Sequence, residues 1–216
     1  MRIAAEGISF ILISMGLSVL SWGGFKLFPA ITIVPGLIFT ILTIIIIFFF
    51  RDPLRVSPIG DNLILSPADG TVLPFGEYIA EDGRKQRMVS IFLSLFDVHV
   101  NRSPVSGEVS KLEYCPGRFV IASHKEASRV NEMNRVTINC NCGKFIFQQV
   151  AGAIARRVVC HLKEGQDVIA GQRIGIMKFG SRMDLILPEN IEIKIRPGNK
   201  VCAGLSIIGV WQSEQK

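Results

Sequence analysis

The sequence predicts a mostly β fold of the α+β class, in which a flattened β-barrel or sandwich follows an N-terminal helical hairpin. Two observations lead to this prediction. The first 50 residues consist almost entirely of two long apolar segments, whereas the apolar stretches after Arg51 are short and are separated by glycine and proline. Short stretches with frequent turn residues are typical of strands in barrels and sandwiches. We therefore expect an anchor over residues 1–51 and a β-rich domain over residues 52–216.

The anchor is predicted from two uncharged segments, residues 7–25 and 27–50, which a single lysine separates. A helix rises about 1.5 Å per residue, so each segment can cross a hydrocarbon core of about 30 Å. Glycines and a proline between the segments favour a tight turn. A cleaved signal peptide is the alternative for the first segment, but its basic start is only Arg2 and a longer apolar segment follows. The transmembrane hairpin is the favoured interpretation.

Charge and cysteine content bear on the side of the membrane and on partners. Arg2 before the first helix, and Arg51 and Arg55 after the second, place the β domain on the cytoplasmic side of the cell membrane, although Lys26 in the turn opposes this. The five cysteines are odd in number and lack paired zinc-site spacing, which favours reduced cysteines and no metal site. The net charge of +6 is small and dispersed, so no nucleic-acid partner is expected. Homo-oligomerisation stays open.

Ten strands and one helix are predicted in the β domain. Ser66-Pro67 and Ser103-Pro104 each begin a turn that leads through a glycine into a strand, so the turn–strand unit repeats in form. The helix is predicted over residues 125–133, where Ala, Glu and Met are frequent. The predicted strands cover residues 62–65, 70–78, 88–92, 107–113, 135–139, 144–150, 154–159, 173–176, 183–187 and 191–195.

The Gly180-Ser181 pair is the leading candidate for chemistry. It places a hydroxyl nucleophile directly after a glycine carbonyl that no side chain shields, although a Gly-Ser pair by itself is more often a turn. Asp69, in the first Ser-Pro turn, and His99, just beyond an apolar strand, supply a carboxylate and an imidazole. The carboxylate can orient a base, the imidazole can take a proton, and the Ser181 hydroxyl can attack a carbonyl. Spacing alone does not show that they meet.

Five motifs give the chain a resemblance to a known family. Their order along the chain is that of phosphatidylserine decarboxylases, and the resemblance extends from about residue 48 to near the C-terminus. Five ordered motifs are far more specific than any one of them. They are Phe48-Phe49-Phe50-Arg51-Asp52-Pro53, Ser66-Pro67-Ala68-Asp69-Gly70, Phe96-Asp97-Val98-His99-Val100-Asn101-Arg102-Ser103-Pro104, Asn131-Glu132-Met133-Asn134 and Phe179-Gly180-Ser181.

The resemblance implies a proenzyme that cuts itself between Gly180 and Ser181. In that family the serine attacks the glycine carbonyl, and elimination then leaves a pyruvoyl group, here derived from Ser181, as the covalent cofactor. The products are a large chain, 1–180, and a small chain, 181–216, which form a heterodimer. The implied reaction converts the membrane phospholipid phosphatidylserine to phosphatidylethanolamine with release of carbon dioxide, and it requires neither a pyridoxal lysine nor a metal.

The resemblance also implies roles for site residues. Asp69 would orient or polarise, and His99 would exchange protons, while Ser181 is activated; His99 would also return a proton to the substrate. Some relatives carry a second histidine three residues after the first, where this chain has Arg102. An arginine stays charged and cannot act as a base near neutral pH. Either His99 covers both proton transfers, or Arg102 has an electrostatic role such as a contact with the substrate phosphate.

Three alternatives remain at this point. Archaeal relatives act on serine lipids with ether-linked isoprenoid chains, so an archaetidylserine decarboxylase is one alternative. Residues 152–178 resemble a biotinyl or lipoyl carrier domain, in which Lys178 would be the modified lysine. A membrane-tethered β domain without catalysis is the third. The carrier alternative explains the turn glycines of this segment but gives Asp69, His99 and the hairpin no purpose.

Overall fold

The computed structural model of the chain describes residues 2–80, 83–141, 143–153, 158–178 and 180–212. The chain forms two compact units, Met1–Leu54 and Arg55–Lys216. The first unit is mainly helical and the second is almost entirely β. That the two units serve as a membrane anchor and a catalytic domain stays a prediction.

The first unit is a helical hairpin. Helix α1 (Ala5–Gly23) leads through a 3-10 turn (Gly24–Lys26) into helix α2 (Pro29–Phe49), and short strands β1 (Arg2–Ile3) and β2 (Arg51–Asp52) pair antiparallel. By length and composition, both helices are able to cross a membrane. Most of their large apolar side chains are exposed, which is unfavourable in water and fits a lipid surrounding.

Small and hydroxyl side chains lie where α1 meets α2. Thr43 donates to the Ser14 hydroxyl at 3.0 Å, and the Ser18 and Thr40 hydroxyls are 2.8 Å apart. Close approach through small side chains, with hydrogen bonds between helices, is how helices associate in lipid. The two apolar helices predicted from the sequence are therefore present and pack on each other.

The second unit contains a short helix, α3 (Ala127–Val130), and fifteen strands among the described residues. The strands in chain order are β3 (Leu63–Leu65), β4 (Gly70–Val72), β5 (Gly76–Ile79), β6 (Lys85–Leu93), β7 (Val100–Arg102), β8 (Gly107–Cys115), β9 (Met133–Cys140), β10 (Gly143–Val150), β11 (Val158–Cys160), β12 (Asp167–Val168), β13 (Arg173–Met177), β14 (Ser181–Leu187), β15 (Ile191–Ile193), β16 (Lys200–Val201) and β17 (Ile207–Trp211).

A nine-stranded antiparallel sheet, the large sheet, forms the centre of the second unit. Its strand order is β12-β8-β9-β10-β14-β6-β4-β16, with β5 also paired to β6. Two three-stranded sheets, β11-β13-β7 and β15-β17-β3, complete the unit. The large sheet curls into a half-barrel, which confirms the predicted mostly β, barrel-like fold class.

The large sheet has an inner face and an outer face, because successive side chains on a strand alternate and directly opposed residues share a face. On the inner face, Phe147 of β10 opposes Leu185 of β14, and both are fully buried. Ile174 and Met177 of β13 belong to the same apolar cluster. The β11-β13-β7 sheet therefore covers part of the inner face, and the core lies between the sheets.

The predicted elements differ from the observed ones in a few places. The predicted strand 70–78 is two strands, β4 and β5, because Pro74 lies between them and cannot donate to a strand ladder. The predicted helix 125–133 is only the four-residue α3, because β9 begins at Met133. Strands β7, β12, β16 and β17 were not predicted. Within the predicted strand 154–159, residues 154–157 lie outside the described residues.

The expectation of reduced cysteines is wrong for Cys140, which is disulfide-bonded. Cys115, Cys160 and Cys202 carry free thiols. Burial raises the pKa of the Cys160 thiol, so this thiol stays protonated at neutral pH. Cysteine usage therefore gives no support to the cytoplasmic side, which rests on the arginines alone.

Candidate functional site

Ser181 is the first residue of β14, which lies between β10 and β6 in the middle of the large sheet. It opposes Leu93, an inner-face residue of β6, and it is fully buried. Among the described residues, its hydroxyl oxygen has no hydrogen-bond partner. A buried hydroxyl without a partner is unfavourable for stability. At a candidate nucleophile, the same arrangement leaves the oxygen lone pairs available for attack.

Gly180 holds the carbonyl that Ser181 would attack. Its φ of +57° lies in the left-handed region that favours glycine. Its carbonyl oxygen packs against Gly152, which follows β10, so closely that a Cβ at residue 152 would overlap this oxygen. The two glycines therefore fix the position of the carbonyl that precedes Ser181. Phe179, the first residue of the Phe-Gly-Ser motif, lies outside the described residues.

His99 lies directly before β7 and is fully buried. Its Nδ1 is 2.9 Å from the carbonyl oxygen of Asp97. Because a carbonyl only accepts, Nδ1 carries the proton in the neutral ring, and Nε2 is the nitrogen that can take one. The His99 carbonyl accepts from the Met177 amide at 3.2 Å, and Met177 is four residues before Ser181. The structure thus brings His99 beside the segment that carries Gly180 and Ser181.

Asp69 lies in the turn before β4 and is paired with Arg55. Nη1 and Nη2 of Arg55 donate to the two carboxylate oxygens at 2.5 and 2.8 Å, and the Ala203 amide donates to Oδ1 at 2.7 Å. Strand β6 separates β4 from β14, so Asp69 is about two strand spacings, roughly 10 Å, from Ser181. Asp69 therefore lies at the same end of the sheet as Ser181, where its carboxylate bonds to Arg55 and to the Ala203 amide.

Arg102 ends β7, three residues after His99. Its Nη1 donates to the Gly171 carbonyl at 3.0 Å. Its contact with a substrate phosphate stays a prediction.

Two polar side chains that were not predicted as site residues lie near Ser181, Gln149 on the inner face and Asn101 on β7, which belongs to the sheet that covers this face. Gln149 donates through Nε2 to Oδ1 of Asn101 at 2.9 Å, and both residues are fully buried. Asn101 lies two residues after His99, and Gln149 opposes Met183, two residues after Ser181. Only the place of Asn101 inside a quoted motif could have drawn attention to it, and Gln149 carried no signal in the sequence.

A second buried polar group lies on the outer face, beginning at the residue after Ser181. Arg182 donates to Asp184 Oδ1 and to the Ser90 hydroxyl, each at 2.6 Å, and to the His124 carbonyl at 3.1 Å. Arg182 is 4% exposed, and Asp184 and Ser90 are fully buried. These bonds tie the start of β14 to β6 and to the segment before α3.

Asn131, from the fourth quoted motif, fixes the chain next to Gly152. Its Nδ2 donates to the carbonyls of Val120 and Ala151 at 2.8 and 2.7 Å, and its Oδ1 accepts from the Val120 amide at 2.9 Å. Ala151 directly precedes Gly152. The buried amide of Asn131 therefore fixes the backbone of Ala151 and Gly152, against which the Gly180 carbonyl packs.

Fold and site together define a class: a helical hairpin able to span a membrane, joined to a β domain whose central strand begins with a buried serine behind a constrained glycine carbonyl. Comparison with known proteins gives the family. The model of the family described as phosphatidylserine decarboxylase matches residues 42–209. The chain belongs to the phosphatidylserine decarboxylase family.

Individual relatives match over nearly their whole length. The three described here are each named phosphatidylserine decarboxylase proenzyme. The protein of Ehrlichia ruminantium (strain Welgevonden) is 44% identical over 96% of this chain and 90% of its own length. That of Geotalea uraniireducens (strain Rf4) is 40% identical over 96% of both chains. That of Wolbachia pipientis wMel is 41% identical over 99% of this chain and 93% of its own length.

Proposed function

We propose that this chain is a self-processing, pyruvoyl-dependent decarboxylase that converts phosphatidylserine to phosphatidylethanolamine with release of carbon dioxide. The observation that carries the proposal is the buried hydroxyl of Ser181, which has no hydrogen-bond partner among the described residues and directly follows the constrained carbonyl of Gly180. Family membership over residues 42–209 supports the same reaction. Three named relatives are proenzymes, which supports a cut in this chain as well.

In the proposed cleavage, the Ser181 hydroxyl oxygen attacks the Gly180 carbonyl carbon while His99 Nε2 takes the hydroxyl proton. The peptide bond breaks, and residue 180 becomes an ester of the serine oxygen. Loss of the Ser181 Cα proton then expels the Gly180 carboxylate and leaves dehydroalanine. Addition of water and loss of ammonia turn residue 181 into a pyruvoyl group at the start of the small chain.

The pyruvoyl group would supply a ketone that binds the substrate amine covalently and accepts electrons as carbon dioxide leaves. Residue 181 fits this group because its side chain is buried among apolar neighbours and makes no hydrogen bond within the described ranges. His99 is the candidate to return a proton, through Nε2. Asp69 is proposed to polarise this end of the sheet through its charge, and Arg102 is the candidate contact for the lipid phosphate.

Exposed apolar side chains near the site support a membrane lipid as the substrate. Leu95 and Phe96 follow Leu93, the register partner of Ser181, and are 46% and 76% exposed. Ile121, 54% exposed, is next to Ala122, which lies against Gly152. Large apolar side chains on loops around a site suit a bilayer surface. With two helices able to cross a membrane in the same chain, we infer that the site works at a membrane surface, and the flanking arginines favour the cytoplasmic one.

Denaturing electrophoresis with intact-mass analysis tests the self-cleavage. The uncut chain has a mass of 23.8 kDa, and a cut before Ser181 gives fragments of about 20 and about 4 kDa, scaled by residue number. The small fragment should carry a ketone at its blocked terminus, and Ser181→Ala should stay uncut. Wild-type protein that remains full length would contradict the proposal. A biotinyl or lipoyl adduct on Lys178 would instead support the carrier alternative.

Purified cut protein should release carbon dioxide from diacyl phosphatidylserine in vesicles. A diether serine lipid in a parallel assay distinguishes the archaetidylserine alternative. The exposed thiol of Cys202 reports the side of the membrane. A membrane-impermeant maleimide should label Cys202 of the wild type in inside-out vesicles and not in intact cells. The variant Cys202→Ser should not be labelled at this position in either preparation. Labelling of intact cells would contradict the cytoplasmic assignment.

A further inference from the structure

The described part of the chain has several buried side-chain polar atoms without a hydrogen-bond partner, and three of them belong to Ser181 and to the two amides beside it. These three atoms are the Ser181 hydroxyl oxygen, Nδ2 of Asn101 and Oε1 of Gln149. All three residues are fully buried. Ser181 is the nucleophile of the proposed cleavage, whereas the two amides have no role in that mechanism.

The strand register shows that the two amides lie beside the reacting residues. Gln149 opposes Met183 on the inner face, so it is a diagonal neighbour of Ser181, at a Cβ separation of roughly 7 Å. Asn101 is two residues after His99, which is roughly 7 Å along an extended chain. The Gln149–Asn101 hydrogen bond therefore crosses from the large sheet, which carries Ser181, to the smaller sheet, which carries His99.

The amide pair is an unfavourable way to fill this part of the core. One hydrogen bond joins the two amides, and in either orientation of the amides one N–H group and one carbonyl oxygen stay unpaired. The residues around them, such as Phe147 and Met183, are apolar and fully buried. Two apolar side chains of similar size would pack here without an unpaired polar atom, which is usually neutral or stabilising. Stability therefore does not account for the pair.

We propose that Asn101 and Gln149 form a positioning pair for self-cleavage. The bond between them holds the strand with His99 in place against the strand with Ser181, so that Nε2 can receive the serine proton. Their remaining N–H and carbonyl groups provide polar partners inside an apolar core for the hydroxyl as it moves toward the Gly180 carbonyl. This inference rests on the proposed self-cleavage and adds two residues to it.

Gln148 offers a matched control. It is the preceding residue on β10, it is 1% exposed, and its side chain lies on the outer face. In the orientation that satisfies its amide, its carbonyl accepts from Arg135 at 3.0 and 3.2 Å. Gln148→Leu thus removes an equally buried glutamine amide from the same strand without touching the inner face.

The experiment follows cleavage of the full chain over time by denaturing electrophoresis, in wild type and in variants. Gln149→Leu and Asn101→Leu should each slow cleavage about 100-fold, the loss expected when reacting groups shift by about 1 Å. Melting temperatures, compared in a Ser181→Ala background so that all chains stay uncut, should be unchanged or higher. Gln148→Leu should cleave at the wild-type rate. The exchanged pair Asn101→Gln with Gln149→Asn keeps both amides and should recover most of the rate.

Cleavage of Gln149→Leu at the wild-type rate would overturn this inference while leaving the proposed function intact. So would slow cleavage that comes with a lowered melting temperature and is not recovered by the exchanged pair, because the amides would then be structural only. Failure of wild type itself to cleave would overturn both proposals. Slow cleavage with an unchanged melting temperature and recovery in the exchanged pair supports the positioning role.

Discussion

Ser181 and Arg182 are neighbours in sequence and lie in opposite surroundings. The serine points to the inner face, where its hydroxyl has no described partner, and the arginine points to the outer face, where three bonds hold its guanidinium. Both are buried, so exposure does not distinguish them. The difference teaches that one side of β14 anchors the strand and leaves the other side open to reaction. The position of the Ser181 hydroxyl is therefore set by the residues that hold β14 and not by a hydrogen bond of its own side chain to a described residue.

Removing the anchor should have the largest effect. Arg182→Met leaves the Asp184 carboxylate buried without its partner, and we expect a loss of about 3–5 kcal/mol in the free energy of unfolding. Ser181→Ala removes a hydroxyl without a described partner and should change stability by less than about 1 kcal/mol. Denaturant unfolding of Arg182→Met, measured in the Ser181→Ala background, provides the comparison.

The double variant Arg182→Met with Asp184→Leu should recover most of that loss, because it removes both charges. An Arg182→Met variant as stable as its parent would show that the outer face is not an anchor.

Substitutions in the Arg55–Asp69 pair test whether this second buried charge pair anchors the fold or activates the serine. Arg55→Met alone should lower stability by about 3 kcal/mol, since the Asp69 side chain is only 12% exposed. Arg55→Met with Asp69→Leu should recover stability and still fail to cleave, if Asp69 polarises the site as proposed. Unfolding and electrophoresis are measured on the same samples. A stable double variant that cleaves normally would remove Asp69 from the mechanism.

Gly152→Ala tests the fixed carbonyl on the reactive side. The added Cβ would overlap the Gly180 oxygen, so the carbonyl must shift, and cleavage should slow about 100-fold. The neighbouring Ala153 is exposed, and Ala153→Ser serves as a control that should cleave normally. Normal cleavage by Gly152→Ala would mean that the close packing at Gly180 does not set the geometry of attack.

Phe96→Ser should have the smallest effect and should leave cleavage unchanged. Loss of one large apolar side chain from a lipid contact removes about 1–2 kcal/mol, so turnover of phosphatidylserine in vesicles should fall roughly 5- to 30-fold. Ile79→Ser is the matched control, because Ile79 is 57% exposed at the end of β5 that pairs with Lys85, far along β6 from Leu93. Equal effects of both variants would contradict a lipid contact specific to Phe96.

The sequence was sufficient for the fold class because its signals are local. Two long apolar helices and short strands divided by glycine and proline are visible in a single chain. Strand β7 was not predicted, because Val100–Arg102 is short and its pairing with β13 depends on residues more than 70 positions away. For the same reason, single-sequence patterns did not show where β16 and β17 pair.

The candidate site was predictable only in part. Ser181, His99 and Asp69 came from residue chemistry and motif order, and the structure places all three at the end of the large sheet where β14 begins. The Arg55 partner of Asp69 was missed, because Arg55 was interpreted as a charge that flanks the membrane helix. Gln149 was missed because its role depends on strand register, which decides whether it or Gln148 faces Ser181.

The pairing of the strands from Ser181 onward has a consequence for the lifetime of the protein. Strand β14 inserts between β10 and β6, β16 pairs with β4, and β17 pairs with β3. A cut before Ser181 would therefore leave the strands of the short fragment hydrogen-bonded to strands of the long fragment, and all of these strand pairings would be retained. Such a fragment cannot be exchanged for a fresh copy without unfolding its host. Each molecule would thus mature once, after folding, and be replaced only by new synthesis.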